Sequence, residues 1–387
     1  MKGELIMIEF KGVSKVYPGG KIALHNISLK IEDGQFVAFI GTSGSGKTTC
    51  MRMINKMIEP SSGEVLINGQ NIKNLNDVEL RRSIGYVIQQ IGLMPHMTIF
   101  ENIVMVPRLL KTPEEEIKQI AETMIKKVDL PVEYLSRYPK ELSGGQQQRI
   151  GVIRALSANQ DIILMDEPFG ALDPITRENL QILVKNLQME LGKTFIFVTH
   201  DIDEAFTLAD KIAIMDAGQL IQYDTPDNIL KSPANDFVKN LLGEKRLDSA
   251  KFDYLPVEEV MIRNPKFIHQ DKTTREAMEM MHKSRVDTLF LVDDDNVLTG
   301  LVDVFDIRSS RDKDAQISSY MMPVQSLNRK TPLKDAIFYI NNLGYRNMPV
   351  VDEDLHLIGV VTRASVMDII YSGFLGDYKP TSTTVEV

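Results

Sequence analysis

Tryptophan is absent from this chain of 387 residues, cysteine occurs once, and aromatic residues make up only 7% of it. The lone Cys50 excludes an intramolecular disulfide and any metal site built from several thiolates, and it makes the cytoplasm the natural compartment. Also missing is a run of roughly 18 to 20 apolar residues, so membrane spanning would fall to another chain. The N-terminal MKGELIMIEFKGVSK, broken by Glu4 and Glu9, lacks a signal peptide's apolar core and cleavage site. Basic charge is in deficit: 44 Lys+Arg face 53 Asp+Glu, a formal net charge of -9, which argues against coating nucleic acid phosphates. What is present is the mixture of an ordinary folded protein, 43% hydrophobic and 25% charged. At roughly 100 to 200 residues per domain, the length implies two or three domains.

Strand-like apolar runs alternate with helix-like segments through residue 220 and imply an α/β fold with a mostly parallel sheet covered by helices. QFVAFIG (35–41) is followed by a Gly/Ser/Thr stretch and a helix pattern from about Lys47 to Ile58. A second run, Ile162 to Met165, ends in Asp166 and Glu167, and a third, Thr194 to Val198, ends at Thr199 and His200. Polar residues at the ends of buried strands are where open α/β sheets carry their chemistry. The first domain is expected over 1–243, and the charged stretch EKRLDSAKFDYLP (244–256) reads as a linker. Beyond it the sequence repeats without a gap: Ala277, Val292, Asp293, Asp295, Gly300 and Val302 recur as Ala336, Val351, Asp352, Asp354, Gly359 and Val361. Two units, 257–311 and 312–371, should form one small α/β domain, followed by a mobile tail over 372–387.

GTSGSGKT (41–48) fits the phosphate-loop pattern in the strand-to-helix context that pattern requires. Its glycines allow backbone N–H groups to curl around phosphate oxygens at a helix N-terminus. Lys47 is suited to the β- and γ-phosphates and the Thr48 hydroxyl to Mg²⁺. Asp166 is expected at the same ion, with Glu167 as general base for the attacking water; the plainer reading of this acidic pair is a helix cap. In LSGGQQQR (142–149), Ser143, Gly144 and Gly145 precede a helix and offer a second anion site.

At this point the chain resembles the ATP-binding subunit of ABC transporters, over roughly residues 7–243 and with the family's motifs in order. The resemblance implies an ATPase with ATP and Mg²⁺ as cofactors, bound by Tyr17 against adenine and by Gly41, Thr42, Ser43, Gly44, Ser45, Gly46, Lys47, Thr48 and Thr49 around the phosphates. It implies that Gln89 is the Q-loop residue joining Mg²⁺ to a membrane subunit, with Gln90 beside it leaving the register open, that Asp173 belongs to the D-loop, and that His200 is the switch at the γ-phosphate. It further implies that Ser143, Gly144, Gly145 and Gln146 of one copy face the phosphate loop of a second, so that a homodimer sandwiches two ATP molecules. PHMTIFENI (95–103) resembles the surface that receives a transmembrane permease subunit. As isolated residues, His200 reads as a hydrogen-bonded strand-end group and Tyr17 as turn packing.

The tandem repeats resemble a CBS (Bateman) pair, and the combination is similar to the energising subunit of quaternary-amine uptake systems for glycine betaine, carnitine and choline. That implies a peripheral protein on the cytoplasmic face of the cell membrane, partnered by permease subunits and, through them, by an extracellular substrate-binding protein, with no nucleic acid. Import of another solute such as amino acids, or a soluble ABC ATPase, remains the alternative. The resemblance also implies regulation, by cyclic di-AMP or by ionic strength. Each CBS nucleotide motif is half degenerate: GLVDVFD (300–306) keeps Asp306 but has Asp303 in the hydroxyl position, and GVVTRAS (359–365) keeps Thr362 but has Ser365 in the acidic one. Arg346 and Arg363 could meet phosphates and Tyr345 could stack a base. The plainer reading is that these polar groups solvate a dimerisation surface.

Overall fold

The computed structural model describes residues 6–88, 92–308 and 312–367. Gln89, Gln90 and the expected tail therefore lie outside the described residues. The chain divides into two units at Glu244 and Lys245.

In the first unit, β1 (Ile6–Val16), β2 (Ile22–Glu32), β3 (Phe36–Gly41), β4 (Ser62–Ile67), β5 (Gln70–Asn71), β6 (Ile84–Val87), β7 (Ile162–Asp166), β8 (Thr194–Val198), β9 (Lys211–Asp216) and β10 (Gln219–Asp224) make two sheets. One has four strands in the order β2-β1-β4-β5, and the other six, β10-β9-β3-β8-β7-β6. Strands β9 to β6 of the larger sheet are parallel, as expected, and β10 adds an antiparallel edge. Residues Phe36 to Ile40 and Phe195 to Val198 are buried on both strand faces, as the interior of a covered parallel sheet requires. Period-2 alternation divides them. Val37, Phe39, Leu164 and Ile196 share a core with Phe10, Ile27 and Ile31 of the smaller sheet and with Met51 and Ile54 of the helix Lys47–Ile54. A second sheet, and not helices alone, thus covers one face, which the alternation of strand and helix did not foretell. That helix stops short of Ile58 because Lys56 takes left-handed backbone (φ 55°) and the Met57 N–H turns back to the Arg52 carbonyl at 3.0 Å.

In the second unit, β11 (Phe267–His269), β12 (Thr288–Val292) and β13 (Leu298–Asp303) form one three-stranded sheet, and β14 (Leu327–Asn328), β15 (Asn347–Val351) and β16 (Leu357–Thr362) another. The repeats are continuous in sequence but exchange their leading segments in space. Val257 and Met261 sit in the core of the second repeat, while Ile317 and Tyr320 pack on the first. Ile262 pairs with Val360 and, reciprocally, Met322 with Leu301. The exchange explains two repeated glycines: a Cβ on Gly300 would lie 2.4 Å from Met321 Cγ, and one on Gly359 would lie 2.4 Å from Met261 Sδ. The stretch 244–256 is also more than a linker. It is helical over Glu244–Asp253, with Ala250 buried and Phe252 and Leu255 packed on the second repeat's core. Its charges had masked those apolar anchors.

Candidate functional site

Sheet register assembles the site in the first unit. Phe39 pairs with Val198 and Val198 with Asp166, so the residues that follow β3, β7 and β8 emerge side by side. The Glu167 N–H donates to the Val198 carbonyl at 2.9 Å, and the Thr199 N–H to the Phe39 carbonyl at 3.2 Å.

After β3 the chain turns through Gly41 and Gly46 with φ of 143° and 100°. A Cβ on Gly41 would lie 1.9 Å from the Met215 carbonyl oxygen, and one on Gly46 would lie 2.6 Å from that of Ala23. The loop is therefore clamped between β2 and the end of β9, and only glycine fits. Thr42 Oγ1 donates to Asp216 Oδ1 at 3.0 Å and the Gly218 N–H to the Ser45 carbonyl at 3.1 Å, so the β9–β10 turn also holds the loop. Lys47 is 8% exposed, and its ammonium donates to the carbonyls of Gly41 (2.9 Å) and Thr42 (2.8 Å). Burial holds its pKa below the usual lysine value, partly offset by the charge of Glu167.

Thr48 Oγ1 donates to Asp166 Oδ1 at 3.3 Å, and Arg52 Nη2 lies 3.4 Å from Asp166 Oδ2. A hydroxyl and a partly buried carboxylate meeting beside the phosphate loop form the oxygen donor set that a hard divalent cation takes, so the residues fit Mg²⁺. Glu167 has φ 46°, a left-handed conformation that a glutamate before proline resists, at a cost of about 1 to 3 kcal/mol. Its Oε2 is 3.5 Å from Nδ1 of His200, whose side chain is 68% exposed. Lys47, Thr48, Asp166, Glu167 and His200 are thus brought together.

Tyr17 heads the turn between β1 and β2, where its N–H donates to the Lys21 carbonyl at 2.9 Å; its ring is half-exposed with Lys15 Nζ 5.4 Å from the centroid. Ser143 caps the helix Gly144–Leu156 in a reciprocal pair: the Gln146 N–H donates to its Oγ at 3.3 Å and its own N–H to Gln146 Oε1 at 2.9 Å. Both Ser143 and Gly144 are exposed. Gly145 has a packing reason as well, since a Cβ there would lie 2.4 Å from Thr176 Cγ2. Asp173 caps the helix Pro174–Leu191, and the Thr176 side chain and N–H hold its carboxyl below the usual aspartate range. Within PHMTIFENI, Asn102 staples its loop by donating to Met94 (3.2 Å), Met97 (3.2 Å) and Thr98 (2.9 Å) carbonyls.

Several contributors escaped the motif reading. Arg52 lies one turn beyond Thr48, and that spacing alone could have placed it beside Asp166. Gln148 donates to the Pro168 carbonyl at 2.7 Å, tying the helix Gly144–Leu156 to the segment after Glu167. Thr199 and the buried Glu204 form a further pair.

In the second unit, the residues at the motif's hydroxyl position serve as caps. Asp303 Oδ1 accepts the Phe305 N–H at 2.9 Å, and Thr362 Oγ1 accepts the Ser365 N–H at 3.1 Å. Asp, Thr and Ser are interchangeable in that role. Arg346, expected to face a phosphate, is exposed and pairs with Asp287 at 3.2 Å. The Tyr345 ring packs edge-on against Tyr339, 5.9 Å between centroids. Arg363 is exposed, and Asp306 opens the helix after β13. The acidic turns are structural: Asp293 and Asp352 each accept two N–H groups of their own turn.

The ABC transporter family profile matches residues 24–170, and the CBS domain profile matches 257–312 and 317–372. The carnitine transport ATP-binding protein OpuCA of Listeria monocytogenes serotype 1/2a (strain 10403S) is 53% identical over 98% of this chain and 96% of its own. The glycine betaine/carnitine/choline transport ATP-binding protein OpuCA of Bacillus subtilis (strain 168) is 52% identical over 98% of this chain and all of its own. Among solved structures, a dimeric post-hydrolysis state of the ATP-binding cassette MJ0796 bound to ADP and Pi is 38% identical with a TM-score of 0.51, covering 57% of this chain and 99% of that one.

Proposed function

The chain belongs to the ABC transporter ATP-binding subunits of quaternary-amine osmoprotectant uptake, and from that membership we propose that its cargo is glycine betaine, carnitine, choline or a related quaternary amine. It is an ATPase coupled to solute import. The observation that carries the cargo class is likeness along the whole chain, CBS pair included, to relatives named for such solutes.

Two copies sandwich two ATP molecules, with Ser143, Gly144 and Gly145 of one facing the phosphate loop of the other. The loop's N–H groups and Lys47 orient the phosphates, Lys47 leaving its carbonyl partners to do so. Thr48 and Asp166 would hold Mg²⁺, whose chemistry is to neutralise charge on the β- and γ-phosphates. Glu167 takes a proton from water as its oxygen bonds to the γ-phosphorus and the bond to ADP breaks. His200, beside Glu167, contacts the γ-phosphate and reports its loss. Permease subunits engage the surface around 95–103 at the cytoplasmic face of the membrane, and an extracellular binding protein delivers the solute.

Cyclic di-AMP is the regulatory ligand proposed for the CBS pair, with Tyr345, Arg346, Thr362, Arg363 and Asp306 as its contacts. Freeing Arg346 from exposed Asp287 costs about 1 kcal/mol or less. The test is reconstitution with permease and binding protein in vesicles. Hydrolysis should rise with a quaternary amine but not with neutral amino acids, and fall on adding cyclic di-AMP unless Arg346 is replaced by alanine. Stimulation by amino acids alone would overturn the cargo class, and indifference to cyclic di-AMP would overturn the regulatory part.

A further inference from the structure

We infer that Thr199 and Glu204 form a positioning pair for His200, a role that rests on His200 being the switch at the γ-phosphate. The His200 side chain is largely exposed and its ionic neighbour among the described residues is Glu167 Oε2 at 3.5 Å, so its direction must come from the backbone on either side. Both sides are pinned through one hydroxyl. The Asp201 N–H donates to Thr199 Oγ1 at 3.0 Å, and Thr199 Oγ1 passes its own hydrogen to Glu204 Oε2 at 2.5 Å. On the other side, the Thr199 N–H is held by Phe39 of β3.

Thr199 and Glu204 are 1% and 5% exposed. Burying a carboxyl is unfavourable unless it is hydrogen-bonded, and burial raises its pKa above the usual glutamate value, so a packing role alone would be better filled by an apolar residue. The pair also reaches the D-loop. Asp201 caps the helix Ile202–Leu208 and lies 3.6 Å from Arg177 Nη1, while Arg177 Nη2 donates to the Leu172 carbonyl at 3.2 Å. Movement of the D-loop can thereby be felt at the residues bracketing His200. Asp201, Arg177 and His200 are the charged or titratable groups acting on the Glu204 carboxyl.

Steady-state hydrolysis in the assembled transporter tests this. Thr199→Val removes the hydroxyl at nearly constant volume and should lower kcat roughly ten- to hundredfold while the KM for ATP stays within about twofold, because nucleotide binding is left intact and orientation is lost. Thr199→Ser should restore the rate, and Glu204→Gln should retain it, since the amide oxygen still accepts the hydroxyl. The double variant Thr199→Val/Glu204→Leu should be no slower than Thr199→Val, as expected of residues acting as a unit. A wild-type kcat in Thr199→Val alongside an inactive His200→Ala overturns the pair alone. Full activity in His200→Ala overturns the switch assignment and the pair with it. Failure of Thr199→Ser to recover the rate also counts against the pair, and should the valine variant misfold, Glu204→Leu, which removes the acceptor, should lower kcat in its place, a wild-type kcat there overturning the pair.

Discussion

Glu167 holds left-handed backbone immediately before Pro168, with its N–H donating to the Val198 carbonyl and its own carbonyl accepting the Gly170 N–H. Strain of that kind persists where the surroundings over-determine it, and here it turns the carboxylate toward His200 at the end of the sheet. The residues of the phosphate site were legible because their spacing is local: Gly41 to Thr48 lie on one turn of chain, and Asp166 and Glu167 end one strand. Glu204 was not, because its importance comes from burial and from Thr199, neither of which leaves a sequence signature. Its ionisation yields a prediction. The folded state holds the Glu204 proton more tightly than the unfolded chain does, so the associated stability is fully present below pH 4.5, the ordinary value, and is lost as pH rises through the raised folded one. Glu204→Gln has no such loss, so its melting temperature should climb relative to wild type as pH rises from acid toward neutral. Parallel melting curves across that range would count against a raised carboxyl.

At the scale of elements, β3, β7 and β8 were legible as strands, since parallel buried strands read as continuous apolar runs, and the structure brings their ends side by side. The antiparallel sheet over β1, β2, β4 and β5 was invisible to that reading because its pairing is long-range. The repeat was equally legible as a repeat, yet its exchanged leading segments were not: the same periodicity results whichever copy Val257 and Ile317 pack on. The exchange is open to test at its glycines. Gly300→Ala places a methyl 2.7 Å from the Met322 carbonyl oxygen, a backbone atom that cannot swing away, whereas Gly359→Ala chiefly meets the flexible end of Met261. Gly300→Ala should destabilise the second unit by about 1 to 3 kcal/mol and Gly359→Ala by less, read from urea denaturation midpoints. Equal and negligible losses would mean that the segments are not exchanged as described.

For the whole molecule, two units with separate cores divide the labour: one carries the phosphate machinery and the other the CBS pair. Resemblance named both halves correctly from motif order and repeat, while regulation stayed open because the CBS motif residues double as helix caps. Ser143 has its capping partner Gln146 within its own helix, and with Gly144 it stays exposed, as the proposed sandwich of two copies around ATP requires. The most direct measurement is sedimentation of Glu167→Gln with Mg²⁺ and ATP, followed by steady-state hydrolysis of the same sample. A stable ATP-bound dimer with turnover reduced roughly a hundredfold or more is the predicted result, because the proton acceptor is gone while the sandwich remains. A monomer under saturating ATP, or an unimpaired hydrolysis rate, would contradict the account.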